Sequence, residues 1–505
     1  MAKSNNSRSS LFYKNTFSNG VFFILNSVLG LIIVPLFIKN MGSDLYGVWI
    51  LNFAIMNYFL FLNSSISGGV IKNISESLND NNISKQIRTI NVSLVIYLFI
   101  GFLIWIFFIF SADFIISFFK INAIHHDLLK QMLLISASFA VVIWPLKVFE
   151  AVFLGLLQHT TINIIKGVVS IITTTLIIVL LNNNVGLKNL LIVFYSLSML
   201  VGIILFIKYY KRYPEYRFRF TDFEKNTVAP ILGFSVNLMI LEIISTLSFQ
   251  VDTFVIAYFL PISFVATYAI ITKLFYLLQG VYGVMLSVIQ PMIFNAAHKD
   301  DKIFINKMAL KGFKYILIFY IPLIIITSIL AKPFITLWVG EEFGQHAIWA
   351  SIFLLQYIIS PAVGIIGVIS IGMSRLKYIQ IYGVMAAFSN LGLSIFFVQI
   401  YGFQGVILGT VITTFFGVMI IYPYYCRAIE LDWKTPIKEN YKEFISLLLF
   451  LVLGFIGTQN LLIDSWPMLI LVASLLVFFI LLWMFFMFAY REEKKKLYSL
   501  LIGIK

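Results

Sequence analysis

Residues 90–111 read Ile90-Asn91-Val92-Ser93-Leu94-Val95-Ile96-Tyr97-Leu98-Phe99-Ile100-Gly101-Phe102-Leu103-Ile104-Trp105-Ile106-Phe107-Phe108-Ile109-Phe110-Ser111, without one Asp, Glu, Lys or Arg. A helix needs about 20 apolar residues to cross the hydrocarbon of a bilayer. This segment therefore predicts a transmembrane helix. Outward from it, further apolar stretches lie near 20–38, 45–66, 131–156, 161–181, 189–208, 229–259, 263–293, 313–332, 346–373, 378–398, 404–426, 443–459 and 466–490. Those at 229–259 and 263–293 exceed what the bilayer requires, which predicts tilt, bending or projection beyond the membrane. The first stretch follows a polar leader and lacks a small-x-small cleavage signature, so it reads as a span and not as a removable signal.

Composition agrees. Of 505 residues, 60% are hydrophobic and 11% charged, against about 25% charged in soluble domains. Mean hydropathy is +0.97. A soluble interior cannot absorb that much apolar surface, and a disordered chain would not carry it. The fold class predicted is all-α: a polytopic membrane protein of about 14 transmembrane helices.

The net charge of +14 is a matter of orientation. With the N-terminus inside, 28 of the 36 Lys and Arg fall in inside segments, 5 in outside loops and 3 within spans. This bias predicts cytoplasmic N- and C-termini, with some attraction to anionic lipid headgroups. It leaves no case for nucleic acid. The single cysteine, Cys426, allows no internal disulfide, and His125, His126, His159, His298 and His346 are scattered. No metal site and no cofactor is predicted. No phosphate-binding glycine loop and no stretch large enough for an ATPase occurs.

The chain also repeats itself. Leu45-Tyr46-Gly47-Val48-Trp49-Ile50 aligns with Phe264-Val265-Ala266-Thr267-Tyr268-Ala269 at an offset of 219. Ala112, Ile115, Ile116, Ser117 and Phe119 align with Ala331, Phe334, Ile335, Thr336 and Trp338 at the same offset. Gly155 matches Gly372 at 217, and Pro145, Gly167 and Gly186 match Pro361, Gly383 and Gly402 at 216. Six spans return the chain to its starting side, so the repeat is parallel, with two lobes related by an axis along the membrane normal. The organisation expected is a cytoplasmic leader (1–19), an N-lobe of helices 1–6 (20–210), a basic cytoplasmic linker (211–228) and a C-lobe of helices 7–12 (229–428). Helices 13–14 and a tail follow (429–505) and have no partner in the repeat.

Local motifs add a resemblance. The first spans read Asn26…Pro35-Leu36-Phe37…Met41-Gly42…Tyr46-Gly47-Val48-Trp49, then Gly68-Gly69…Ile71-Lys72. Span seven reads Asp252-Thr253-Phe254-Val255-Ile256-Ala257-Tyr258-Phe259-Leu260, followed by Val265-Ala266-Thr267-Tyr268. Over about residues 15–430 the chain resembles the multidrug/oligosaccharidyl-lipid/polysaccharide exporter superfamily. The motifs resemble its polysaccharide branch, the Wzx-type lipid-linked oligosaccharide flippases. That resemblance implies a central cavity lined by spans one, two, seven and eight.

Charge within a bilayer is costly, so ionisable residues inside spans are functional candidates. Six occur: Lys147, Glu150, Lys166, Glu242, Asp252 and Lys273. Lys166 sits about a turn from the inside end of its span and can snorkel. Lys147 and Glu150 are three apart on one face, and form either a structural bridge or an ion-coupling gate. Lys273 and Glu242 both fall near the midplane. Either they pair, or Lys273 attracts the pyrophosphate of a lipid-linked sugar in the cavity the resemblance implies. Asp252 is a proton or cation site, an outer gate, or a plain interfacial carboxylate. Asn26, Asn52, Asn57, Asn237, Gln250 and Gln279 would line a hydrated path or glue helices together. Pro145 and Pro361 predict matched kinks that act as hinges or as static bends.

The function expected is a non-enzymatic flippase in a bacterial cytoplasmic membrane. It would carry a polyprenyl-pyrophosphate-linked oligosaccharide outward by alternating access for surface polysaccharide of the O-antigen or capsule kind. Its partners would be that glycan lipid, membrane lipids, and a polymerase or glycosyltransferases. A lipid II flippase and a cation-coupled multidrug exporter are the neighbouring alternatives. A membrane glycosyltransferase or polymerase would need an Asp-x-Asp motif or a long basic outer loop, which are absent from the sequence.

Overall fold

The computed structural model describes residues 2–488 apart from 81, 215, 217, 219–224, 300, 360, 429, 433 and 459–460; the side chains of residues 2–13, Asn237 and Pro361, among others within helices, are also outside the description. Among the described residues there is no strand. The helices are α1 (Ala2–Asn57), α2 (Leu60–Asn79), α3 (Ile83–Phe118), α4 (Ala123–Gly155), α5 (His159–Asn182), α6 (Leu187–Arg212), α7 (Lys225–Phe259), α8 (Ser263–His298) and α9 (Lys302–Tyr315). After a π-helical turn, Ile316–Tyr320, come α10 (Ile321–Ile329), α11 (Ala331–Val339), α12 (Glu341–Gly344), α13 (Ala347–Ile359), α14 (Pro361–Gly372), α15 (Leu376–Tyr401), α16 (Phe403–Ala428), α17 (Lys434–Thr458) and α18 (Trp466–Phe488).

Eleven helices of the described residues are long and apolar enough to cross a membrane, or twelve if the pair Ala347–Ile358 and Val363–Gly372, bent by 44°, is one span. Two of the fourteen expected stretches are not counted separately. The stretch at 20–38 and the first part of that at 45–66 run together in α1, where two helical segments meet at Gly42 with φ 78 and ψ 172, and residues 60–66 begin α2. Glycine takes that backbone without a Cβ penalty. The stretch at 229–259 lies in α7, much of which is outside the described side chains.

The chain divides into two compact units. One is Met1–Tyr268 with Val398–Val406; the other is Ala269–Phe397 with Ile407–Lys505. The division runs through α8.

The internal repeat is written into the backbone of both halves of the chain. Left-handed residues end helices at Lys120, Leu157 and Asn184, and again at Gly340, Ser374 and Gly402. The spacings are 220, 217 and 218 by subtraction of those positions. The hydrogen bonds repeat too. Leu157 N donates to Leu154 O and Gln158 N to Phe153 O; Ser374 N donates to Ile371 O and Arg375 N to Ser370 O. A left-handed residue with this pair of bonds satisfies the last carbonyls of a helix. Packing repeats with it. A Cβ on Gly155 would lie 2.8 Å from Ile74, and one on Gly372 would lie 2.9 Å from Phe294 and 3.5 Å from Ile293, the residue 219 beyond Ile74. Both glycines are kept because a helix end passes within contact of a neighbouring helix.

The halves differ in continuity. α3 is one helix, while the corresponding stretch holds α9, the π-helical turn, α10 and α11. α4 continues through Pro145. The corresponding stretch is bent by 44° between Ala347–Ile358 and Val363–Gly372.

Candidate functional site

The charged residues expected inside spans sort into three places. In the first unit, Glu150 of α4 pairs with Lys166 of α5, their side chains 25% and 31% exposed. This corrects the expected Lys147–Glu150 bridge and the expected snorkelling of Lys166. Two residues on neighbouring helices bring carboxylate and ammonium closer than two on one helix face. Lys147 lies within electrostatic reach of both, so two lysines neighbour one carboxylate. Tyr97, fully buried, also feels the charge of Glu150. Its hydroxyl donates to Asn63 O at 2.9 Å.

Asp252 of α7 is 3% exposed, which removes the reading of a plain interfacial carboxylate. The Tyr268 hydroxyl donates to its Oδ2 at 2.7 Å. Around it the rings of Tyr58 and Phe254 stack at 4.6 Å. Phe119 meets Phe254 at 5.2 Å. Lys120 Nζ sits 4.5 Å over the ring of Tyr258. The chain turns closely here: a Cβ on Gly47 would run into the carbonyl of Ile262, and one on Gly69 would lie 2.6 Å from Ile231 O. The Tyr-Gly-x-Trp motif thus includes a glycine required by packing against the α7–α8 turn.

Lys273 lies in the second unit. It is half-buried, and among the described residues no carboxylate of its own unit pairs with it. Glu242, in the first unit, is likewise half-buried. Gln279 is half-buried on the same helix as Lys273.

The amides divide. Asn52 is fully buried at 0% exposure. Its Nδ2 donates to Ser136 Oγ at 3.1 Å, and Ser136 Oγ returns a bond to Oδ1 at 3.3 Å. It ties α1 to α4, so its placement on a hydrated path is corrected: no face of it is left for solute. Asn26 donates to Phe22 O, 2.9 Å away in its own helix. Asn57 ends α1 half-buried, and Gln250 is half-buried in α7. The side chains of Asn237 and Pro361 lie outside the described residues. No group of three or more His, Cys, Asp or Glu gathers among the described residues.

Sequence reasoning missed the tyrosines. Tyr268 stands in the span-eight motif with no role read from it, and nothing marks out Tyr58 and Tyr97 among the 25 tyrosines of the chain, yet all three hold or neighbour the charged groups. Tyr276 was legible, because it stands one turn after Lys273 on the same helix face.

Comparison with known proteins follows this geometry. The family model of the polysaccharide biosynthesis proteins matches residues 12–297. No curated protein matches the chain in sequence. Among solved structures, the lipid II flippase MurJ in an inward closed conformation is similar with a TM-score of 0.73 at 18% identity, covering 91% of this chain and 96% of that one. An inward-facing multidrug resistance MATE transporter of the MOP superfamily gives 0.65 at 13% identity, with 82% and 98% covered. A MOP superfamily transporter from Pyrococcus furiosus, described as having a binding pocket of reverse polarity, gives 0.59 at 13%, with 83% and 95% covered. The fold is thus that of the MOP superfamily, and the family match, over more than half of the 505 residues, makes the chain a member of the polysaccharide biosynthesis protein family.

Proposed function

We propose that the protein is a flippase that moves a polyprenyl-pyrophosphate-linked oligosaccharide repeat unit across the bacterial cytoplasmic membrane by alternating access. The product would feed a surface polysaccharide of the O-antigen or capsule kind, with a polymerase or glycosyltransferases as partners. Helices 1–6 and 7–12 are its two lobes, and both termini are cytoplasmic. The observation that carries the reading is Lys273. It is a half-buried cation in an apolar span, without a carboxylate partner in its own unit among the described residues. An unneutralised charge in a span calls for an ionic cargo or a water-filled path. A pyrophosphate supplies the opposite charge, and family membership supplies the polysaccharide context.

No covalent step is needed. With the inside negative, each negative charge carried outward gains about 2.3 kcal/mol per 100 mV. The lipid tail stays in hydrocarbon while the headgroup crosses. Asp252 with Tyr268, and Lys147 with Glu150 and Lys166, are the groups proposed to gate or couple that movement. Pro145 and Pro361 are the proposed hinges.

The test is leaflet-resolved. Deleting the protein should strand lipid-linked repeat units on the cytoplasmic leaflet, scored by their resistance to an external glycosidase. Arrest of wall-precursor transport with normal surface glycan would point to lipid II as cargo instead. Loss of drug resistance alone would point to a multidrug exporter.

A further inference from the structure

Helix α8 is divided lengthwise. Leu274, Phe275, Leu278 and Tyr282 are all buried, as is Ile271. At 3.6 residues per turn these fall together on one side of the helix. The opposite strip, within an arc of about 120°, carries Lys273, Tyr276, Gln279, Gly283, Ser287 and Gln290. Its members are not enclosed. Tyr276 is 39% exposed, Ser287 and Gly283 are exposed, and Lys273, Gln279 and Gln290 are half-buried. A Cβ at Gly283 would meet nothing within 4 Å.

A lipid-facing strip would be apolar, as it is on α18, where Ile470, Leu471, Phe478 and Phe479 are exposed. Amide, hydroxyl and ammonium groups in hydrocarbon have no partners and are costly there. The strip on α8 therefore faces water. From Lys273 to Gln290 it rises about 26 Å at 1.5 Å per residue. Lys273 lies near the midplane, so the strip begins about halfway across and follows the rest of the span, which ends at Ser287. A point site for a phosphate would need one turn of helix; this strip keeps polar character over about four turns.

We propose that this strip is the track for the sugar chain of the cargo. Tyr276, one turn from Lys273, offers its ring face to the sugar attached to the pyrophosphate. The amides and hydroxyl of Gln279, Gln290 and Ser287 bond to the sugars that follow. The bare backbone at Gly283 leaves room for a ring to lie against the helix. A tyrosine is suited to the first position because its face packs on the C–H side of a sugar ring while its hydroxyl stays in water. Selectivity for the first sugar then resides in residue 276, and charge recognition in residue 273. This assignment rests on the flippase reading for its ligand, but the water-facing strip stands without it.

Two measurements separate the two. The first asks what the strip faces. Cys426, the only cysteine, is 2% exposed, so single cysteines can be introduced beside it. In membrane-embedded protein, Gly283→Cys, Ser287→Cys and Tyr276→Cys should react with a charged, water-soluble maleimide, while Phe478→Cys on α18 should stay unlabelled. Equal labelling of Tyr276→Cys, well inside the span, and Phe478→Cys would overturn the track. The second measures binding of two probes to full-length protein in nanodiscs: a polyprenyl pyrophosphate bearing a disaccharide, and the same lipid without sugar. Tyr276→Ala should lose about tenfold on the glycosylated probe and nothing on the bare one, and Tyr276→Trp should recover the loss. A Tyr276→Ala effect equal on both probes, or absent from both, would overturn the sugar role. If Lys273→Ala leaves both probes unaffected, the pyrophosphate reading fails while the labelling result still stands.

Discussion

Residues 263–298 and their repeat counterparts, 219 positions earlier, occupy matching places in the chain and carry different chemistry. α8 is one unbroken helix with Lys273, Tyr276, Gly283 and Ser287 along one strip. The earlier stretch is broken between α1 and α2 at Tyr58 and Phe59. In place of those residues it has Ala54, Asn57, Ser64 and Gly68. Ala54 is buried at 3% exposure, where its counterpart Lys273 is half-buried. The backbone turns and the glycine contacts recur in both halves because helix ends and close helix packing tolerate few residues. The side chains that would meet a solute are free of that constraint, and they have diverged. The two halves therefore share a scaffold, and the charge at this position stands in the second half alone.

That contrast can be broken most directly at its charged position. Lys273→Ala should abolish surface polysaccharide while the protein still reaches the membrane at normal abundance, and Lys273→Arg should restore a part. Asn57→Ala, at the position matching Tyr276, should reduce display far less. Normal glycan display in Lys273→Ala would sink the idea that the second half holds the headgroup.

The first half has its own charges, and among them the Glu150–Lys166 pair also ties α4 to α5. Lys166→Met leaves Glu150 with Lys147 alone and, since the pair is partly exposed, should lower stability by about 1 kcal/mol, read as a fall in the detergent melting temperature. The reversed pair Glu150→Lys with Lys166→Glu should regain part of that. A flat response would mean the pair is idle.

Glycines give the next step. Gly47→Ala forces a methyl into the Ile262 carbonyl and should cost about 1–3 kcal/mol. Gly283→Ala meets open space and should leave the melting temperature unchanged. Tyr268→Phe removes one bond to Asp252; a hydrogen bond to a charged group is worth about 1.5–3 kcal/mol. The shift should sit near the lower end, since Asp252 keeps further interactions.

The smallest effect lies outside the spans. The Lys302 ammonium, hydrogen-bonded to Glu430, holds that carboxyl below its ordinary range. Its stabilisation is present above the unfolded-state value and is lost as pH falls through the folded-state one. Glu430 is fully exposed, so salt should screen the effect. Glu430→Gln should flatten the acid limb of the melting curve slightly, and an unchanged limb would assign no role to the bridge.

Much of this was legible in the residue string. An uncharged stretch such as 90–111 has one low-energy answer in a bilayer, because only a helix satisfies its backbone there. Gly155 with Gly372, and the blocks at 112–119 and 331–338, announced the repeat. Pro145 and Pro361 did not announce their difference. The helix runs on through Pro145 in α4, while the stretch around Pro361 is bent by 44°. Asn52 and Asn57 read alike in sequence, yet one is sealed against Ser136 and the other ends a helix half-buried.

The sequence by itself determined the class of fold, its duplication and the positive-inside bias, because these follow from transfer free energy and from periodicity, which are sums over residues. The tertiary structure alone decided that Glu150 pairs with Lys166 and not with Lys147, that Asp252 is buried beneath Tyr268, and that α8 shows an open polar strip. Such facts depend on which helices are neighbours. An apolar helix has no signature in its own sequence that names its neighbour, since in lipid every such surface is nearly equivalent until the packed side chains meet.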